Sequence, residues 1–77
     1  MHLKIIAPDK IIFSGTVSSV QLPGTDGLFA VLENHAPLIA ALGKGRAKIE
    51  GDCNTEFFEI NGGLVEVLNN EITVLAD

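Results

Sequence analysis

Glu56-Phe57-Phe58-Glu59-Ile60-Asn61-Gly62-Gly63-Leu64-Val65-Glu66-Val67-Leu68-Asn69-Asn70-Glu71-Ile72-Thr73-Val74-Leu75 is the stretch that decides the fold. Phe58 and Ile60 share one face, and a side-chain period of two belongs to strands and not helices. The two interruptions, Asn61-Gly62-Gly63 and Asn69-Asn70, consist of the residues that best tolerate positive φ, so they read as reversals. The stretch predicts a closing meander of three strands. One step upstream, Ala47 and Ile49 alternate with Lys48 and Glu50, and Gly51-Asp52-Cys53-Asn54 turns that strand back towards Glu56. That is a hairpin by the same logic.

The first half keeps the pattern with less regularity. Leu3, Ile5 and Ala7 alternate with Lys4 and Ile6, and Pro8-Asp9-Lys10 turns the chain into Ile11-Ile12-Phe13, which predicts an opening hairpin. Between Thr16 and Leu22 the phase slips, because Val17 and Val20 fall on opposite faces of a regular strand; a bulge at Ser18-Ser19 or two covered faces would explain it. Pro23-Gly24-Thr25-Asp26-Gly27 reads as a turn-rich loop before the apolar run Leu28 to Leu32. Pro37 to Leu42 is the one stretch that could wind as a helical turn, although it is too short to stand as an independent helix. Apolar runs punctuated every 8 to 12 residues or so are the mark of an all-β sandwich or barrel. No internal repeat or low-complexity segment interrupts residues 1–77, which form one domain.

Bulk properties narrow the function. An apolar fraction of 47% with 19% charged residues places the chain among globular sequences. At 77 residues, burial only slightly exceeds the conformational entropy lost, so stability is expected to be modest and a permanent partner would help. The single Cys53 excludes an internal disulfide and suits a reducing compartment. No run approaches the roughly 20 apolar residues of a membrane span, and the N-terminus lacks the core of a signal peptide. Ten acidic against five basic residues, net charge −5, with no Lys/Arg stripe and neither Trp nor Tyr, argue against a nucleic-acid partner.

Chemistry is equally hard to place. His2, His35 and Cys53 lie too far apart in sequence for a paired-ligand zinc motif, and one thiol cannot supply a structural zinc site. Ser14 and Ser18-Ser19 have no motif of base and orienting group around them. Glu56, Glu59 and Glu66 could pair across strands as glycosidase carboxylates do, but exposed strand faces account for them. Gly43-Lys44-Gly45 lacks the spacing and the Ser/Thr of a phosphate loop. No cofactor, metal or small-molecule substrate is expected. What stands out is Gly24 to Leu42, where His35 lies between the apolar runs Leu28–Leu32 and Ala36–Leu42. His35 could simply fix the loop beside Pro37 through a hydrogen bond, or it could meet a partner. The surplus of apolar residues in a turn-rich region favours docking.

Several motifs, in order, resemble one family. Gly27, Phe29 and Asn34-His35-Ala36-Pro37-Leu38 are similar to the signature of the epsilon subunit of F-type ATP synthases (delta in mitochondria), in its N-terminal β-sandwich domain. Pro8-Asp9-Lys10, Phe13-Ser14-Gly15, Val17 and Val20 resemble its opening strands, and Ile60 to Val67, Asn69 and Ile72 to Ala76 its closing ones. The resemblance covers the whole chain. It implies a flattened β-sandwich of two, about five-stranded, mostly antiparallel sheets at the foot of a rotating central stalk. It also implies a non-catalytic subunit that links gamma to the c-ring and couples proton transport to ATP synthesis, at the cytoplasmic face of the bacterial plasma membrane. Asp26, Gly27 and Leu28 would face the c-ring; His35, Ala36, Pro37, Leu38 and Ala40 would face gamma. The sequence departs from the family at Glu33, where proline is common, and at Ala30, where glycine is common. The pair of C-terminal helices usual in the family is not expected before Asp77. A lipoyl-type carrier or other small-ligand β module is the alternative, with Lys10 or Lys44 as the residue to be modified.

Overall fold

In the computed structural model, which describes residues 1–77, the period-two segments become nine strands and no helix. They are β1 (His2–Ala7), β2 (Lys10–Thr16), β3 (Ser19–Gly24), β4 (Gly27–Leu32), β5 (Leu38–Leu42), β6 (Gly45–Glu50), β7 (Thr55–Ile60), β8 (Gly63–Leu68) and β9 (Glu71–Ala76). Five of them hydrogen-bond in the order β2-β1-β9-β8-β5, and the other four in the order β4-β3-β6-β7. A single residue pair, Gly24 with Leu42, joins β3 to β5 and makes the two groups one curled sheet. Only β1 and β9 run parallel.

Inward-facing side chains from both groups meet in one core. Leu3, Ile5, Val65, Val67, Ile72 and Val74 come from the first, and Val20, Leu22, Val31, Ala47, Ile49 and Ile60 from the second. Facing layers of a sandwich lie roughly 10 Å apart and hold their interdigitated side chains between them. The two end strands of the path also meet, because Phe13 on β2 lies edge-to-face against Phe58 on β7, with ring centroids 5.7 Å apart. This is the expected flattened sandwich, with five and four strands in its layers.

Four expectations about local structure are corrected. The closing strands do not form one meander: β7 pairs only with β6, and at Asn61-Gly62 the chain passes from one layer to the other, so β8 and β9 alone make the last hairpin. Positive φ at both Gly62 and Gly63 allows a crossing as readily as a reversal. The irregularity near the start lies at Ile12, where the β1–β2 register shifts between Ile5 and Ile6, and not at Ser18-Ser19. Val17 and Val20 are both buried because the strand has ended: β2 stops at Thr16, and the chain crosses to the second layer with the Val17 and Ser18 N–H groups donating to Met1 O and Glu50 O at 2.9 and 2.7 Å.

Pro23 and Gly24 belong to β3, which leaves Thr25-Asp26 as a two-residue turn. Pro37 to Leu42 is not helical. Leu38–Leu42 forms β5, paired residue by residue with β8, and Pro37 just before it needs no ladder hydrogen bond. Leu38, Ala40 and Leu42 turn inward while Ile39 and Ala41 face out.

Candidate docking surface

The register sorts the loops to two ends of the sandwich. Pro8-Asp9, Thr25-Asp26, Gly43-Lys44 and Asn61-Gly62 lie at one end; Met1, Val17-Ser18, Glu33 to Pro37, Gly51 to Asn54 and Asn69-Asn70 lie at the other. Asp26, Gly27 and Leu28 are therefore at the opposite end from His35 and Ala36. Strand β5 spans the distance between them, with Leu38 next to the histidine loop and Ala40 next to the hairpin.

At the first end, the Thr25 N–H donates to Ala41 O at 3.2 Å and the Gly43 N–H to Pro23 O at 2.8 Å, which fastens the β3–β4 hairpin to the end of β5. Gly27 completes the turn at φ 126°, a backbone state that side chains disfavour. Between hairpin and strand runs a shallow groove, bounded by Gly24 to Phe29 on one side and Ile39 to Ala41 on the other. Its rim holds two of the most exposed large apolar side chains of the molecule, Leu28 at 66% and Ile39 at 67%. Covering a side chain of that size contributes about 1.5–3 kcal/mol. Asp26 at the tip is the only charged group in the groove.

At the second end, a polar network holds the loop from β4 to β5. The ammonium of Met1 lies 2.7 Å from Glu33 Oε1; Asn70 Nδ2 donates to Glu33 Oε2 at 3.0 Å. Asn70 Oδ1 accepts the Asn34 N–H at 2.9 Å. Asn34 turns the chain at φ 62°, and the His35 N–H donates to Leu32 O at 3.1 Å. The exposed His35 ring has Nδ1 2.7 Å from Ala36 O, so the tautomer with its proton on Nδ1 donates there. Fixing the loop is thus one role the ring does perform.

Hydrogen bonds from the ammonium, then from Asn70, hold the Glu33 carboxyl below its usual 4.5. A lowered carboxyl pKa contributes stability that is complete above the ordinary value and is lost as pH falls through the folded one. Glu33→Gln is accordingly expected to flatten the decline of the thermal midpoint below pH 4.5, with little effect on its shape near neutrality.

Phe29, Ile39 and Ala41 line the groove; all three lie within the expected docking segment Gly24 to Leu42, but none is among the residues expected to contact c-ring or gamma. Leu38–Leu42 carries no polar residue on either face, so its period of two is visible only in the structure. Of the two lysines a carrier could use, Lys10 is exposed and closes the Pro8-Asp9 turn as the last pair of the β1–β2 ladder, opposite Ala7, whereas Lys44 lies between β5 and β6, which do not pair with each other and so make no hairpin tip. Cys53 is exposed and alone in its turn.

All of residues 1–77 match the family model of the ATP synthase delta/epsilon chain β-sandwich domain. The chain belongs to this family. It is 39% identical to the ATP synthase epsilon chain of Leptospira interrogans over its full 77 residues, which are 61% of that protein's length. It is 39% identical to the epsilon chain of Caulobacter vibrioides, spanning 90% of it, and 43% identical over 76 residues to that of Chlorobium limicola, spanning 86%. The delta/epsilon fold is repeated in a chain of the Euglena gracilis mitochondrial ATP synthase structure of OSCP, F1 and c-ring, with TM-score 0.90 at 19% identity over 96% of this chain and 48% of that one. A chain of the Tetrahymena thermophila central stalk and c-ring structure gives 0.80 at 19% over 97% and 61%. Glu33 supplies the carboxylate that meets the Met1 ammonium.

Proposed function

We propose that this domain is a non-catalytic central-stalk component of an F-type ATP synthase, linking gamma to the c-ring and so helping couple proton transport to ATP synthesis. Membership of the delta/epsilon family over the whole chain is the observation that carries the reading. In this reading the tip Asp26-Gly27-Leu28 meets the polar loops of the c-ring. His35, Ala36, Pro37, Leu38 and Ala40, along the loop and β5, meet gamma. The complex would hold the domain at the cytoplasmic face of a bacterial plasma membrane as a peripheral part. Exposed apolar groups at Leu28 and Ile39 support a docking role, since a small soluble surface that buries them gains free energy without any chemistry.

The test is size-exclusion chromatography of the chain with a gamma-containing F1 complex prepared from the same source, at low and at moderate salt. Co-elution in both conditions is expected, because an interface with an apolar centre is screened little by salt. Separate elution in both would overturn the proposal.

A further inference from the structure

We propose that Asn61-Gly62, where the chain crosses between layers, is a self-modification site: the Gly62 nitrogen closes onto the Asn61 side-chain amide, and the link converts with time to an aspartyl or isoaspartyl one. Of the five asparagines, Asn34, Asn54, Asn61, Asn69 and Asn70, only Asn61 precedes a glycine. A glycine nitrogen has no side chain beside it to hinder attack. The fold also leaves both reacting groups free. Asn61 is exposed and its side-chain amide makes no hydrogen bond, unlike that of Asn70, whose Oδ1 accepts the Asn34 N–H at 2.9 Å and whose Nδ2 donates to Glu33 Oε2 at 3.0 Å. The ladders stop on either side of the pair, at Ile60 of β7 and Gly63 of β8. Between them the Gly62 carbonyl accepts the Asp77 N–H at 3.1 Å, while the Gly62 N–H donates to no other residue. This nitrogen therefore gives up no internal bond when it reacts.

The chemistry needs only water. Once hydroxide removes its proton, the Gly62 nitrogen attacks Cγ of Asn61; a C–N bond forms as the Cγ–Nδ2 bond breaks, and Nδ2 leaves as ammonia with a proton from water. A second water then opens the succinimide ring. Addition at Cγ gives an aspartyl residue; addition at the main-chain carbonyl carbon gives an isoaspartyl residue, whose main chain runs through the former side chain and is longer by a methylene. Nothing is oxidised or reduced. Either product adds a negative charge to a chain whose net charge is −5. The longer link also falls where the backbone has little slack, because Gly63 pairs with both Leu42 and Ala76 and a Cβ on Gly62 would lie 2.8 Å from Asp77 Oδ2. A main chain of changed length there strains the entry to β8 or shifts it against its neighbours.

The experiment incubates the folded full chain at several values between about pH 7 and pH 9 and maps the converted peptides by mass spectrometry, with methyl transfer by an isoaspartyl-specific methyltransferase marking the isoaspartyl product. Conversion at Asn61 is expected to be faster than at any other asparagine by a factor on the order of ten or more. It should speed up about tenfold per pH unit, because the attacking nitrogen must first lose its proton. Asn61→Gln, whose longer side chain closes a ring poorly, should remove it. Conversion spread evenly over the asparagines would overturn the proposal. So would a rate at Asn61 that rose about tenfold or more when the chain was unfolded in guanidinium chloride, since the folded crossing would then be locked against ring closure. A second measurement reads the consequence: the isoaspartyl chain, separated by ion exchange, should unfold at a lower urea concentration than the unconverted chain, and Asn61→Asp at about the same one. Equal midpoints for the isoaspartyl and unconverted chains would refute the role given to the crossing.

Discussion

Gly63→Ala is expected to destabilise the domain by about 4 kcal/mol, a loss of the size seen only where backbone is forced out of place. A Cβ on Gly63 would lie 2.1 Å from the carbonyl oxygen of Leu75 and 3.1 Å from the Ala76 Cα, and the residue holds φ at 139°. Both obstacles are backbone, so no side-chain rotation relieves them. The position is also where the chain, having crossed from the second layer, enters β8 beside both Leu42 and Ala76. Domains hold about 0.05–0.15 kcal/mol of stability per residue, so a loss of this size removes a third or more of what 77 residues can have. Urea unfolding followed by circular dichroism measures it. Gly43→Ala is the control, since its Cβ would find nothing nearer than 3.8 Å; its midpoint should differ little from that of the unsubstituted chain. If the two variants unfolded at the same urea concentration, the crossing would not depend on glycine.

This glycine also shows what could be read from sequence and what could not. Period-two alternation in Leu64 to Leu75 fixes strand type and core face, and Val65, Val67, Ile72 and Val74 are buried as that pattern requires. Which strands pair is a different matter. Asn61-Gly62-Gly63 has the composition of a hairpin turn, yet here the chain changes layer, because positive φ is needed equally for a reversal and for a crossing. Asn69-Asn70, with φ values of 52° and 64°, does make the two-residue hairpin that its composition suggests. A different gap hid β5. Its five residues are apolar on both faces, since Leu38, Ala40 and Leu42 turn to the core and Ile39 and Ala41 to the outside, and without polar alternation the period cannot be read. A strand whose outer face is apolar is also a strand with something left to cover, so the failure of the pattern and the candidate groove have one cause. The Met1–Glu33 pair lies beyond any local reading, because it joins residues separated by 32 positions.

Ile39→Asp and Leu28→Asp carry the largest expected effects on docking, and together they test whether the strip serves one partner surface or two. Both side chains are about two-thirds exposed, so a carboxylate at either place stays solvated in the free domain and should cost no more than about 1 kcal/mol of stability through strand preference. In a complex that buries the groove, the same carboxylate would be desolvated without a partner, and binding should weaken by about 100-fold or more, some 2.7 kcal/mol. The proposed division assigns Leu28 to the c-ring and the β5 residues to gamma. Titration calorimetry against gamma-containing F1 without the ring should then show a loss for Ile39→Asp and none for Leu28→Asp, and the reverse against the isolated ring in detergent. The groove geometry permits a second outcome, because Leu28 and Ile39 flank the same depression. Were a single partner element to lie in it, both variants would weaken binding to that partner, and the double variant would lose less than the sum of the two, as coupled neighbours do. Additive losses, each confined to its own partner, would support two separate contacts, and unchanged binding in both variants would remove the groove from the interface.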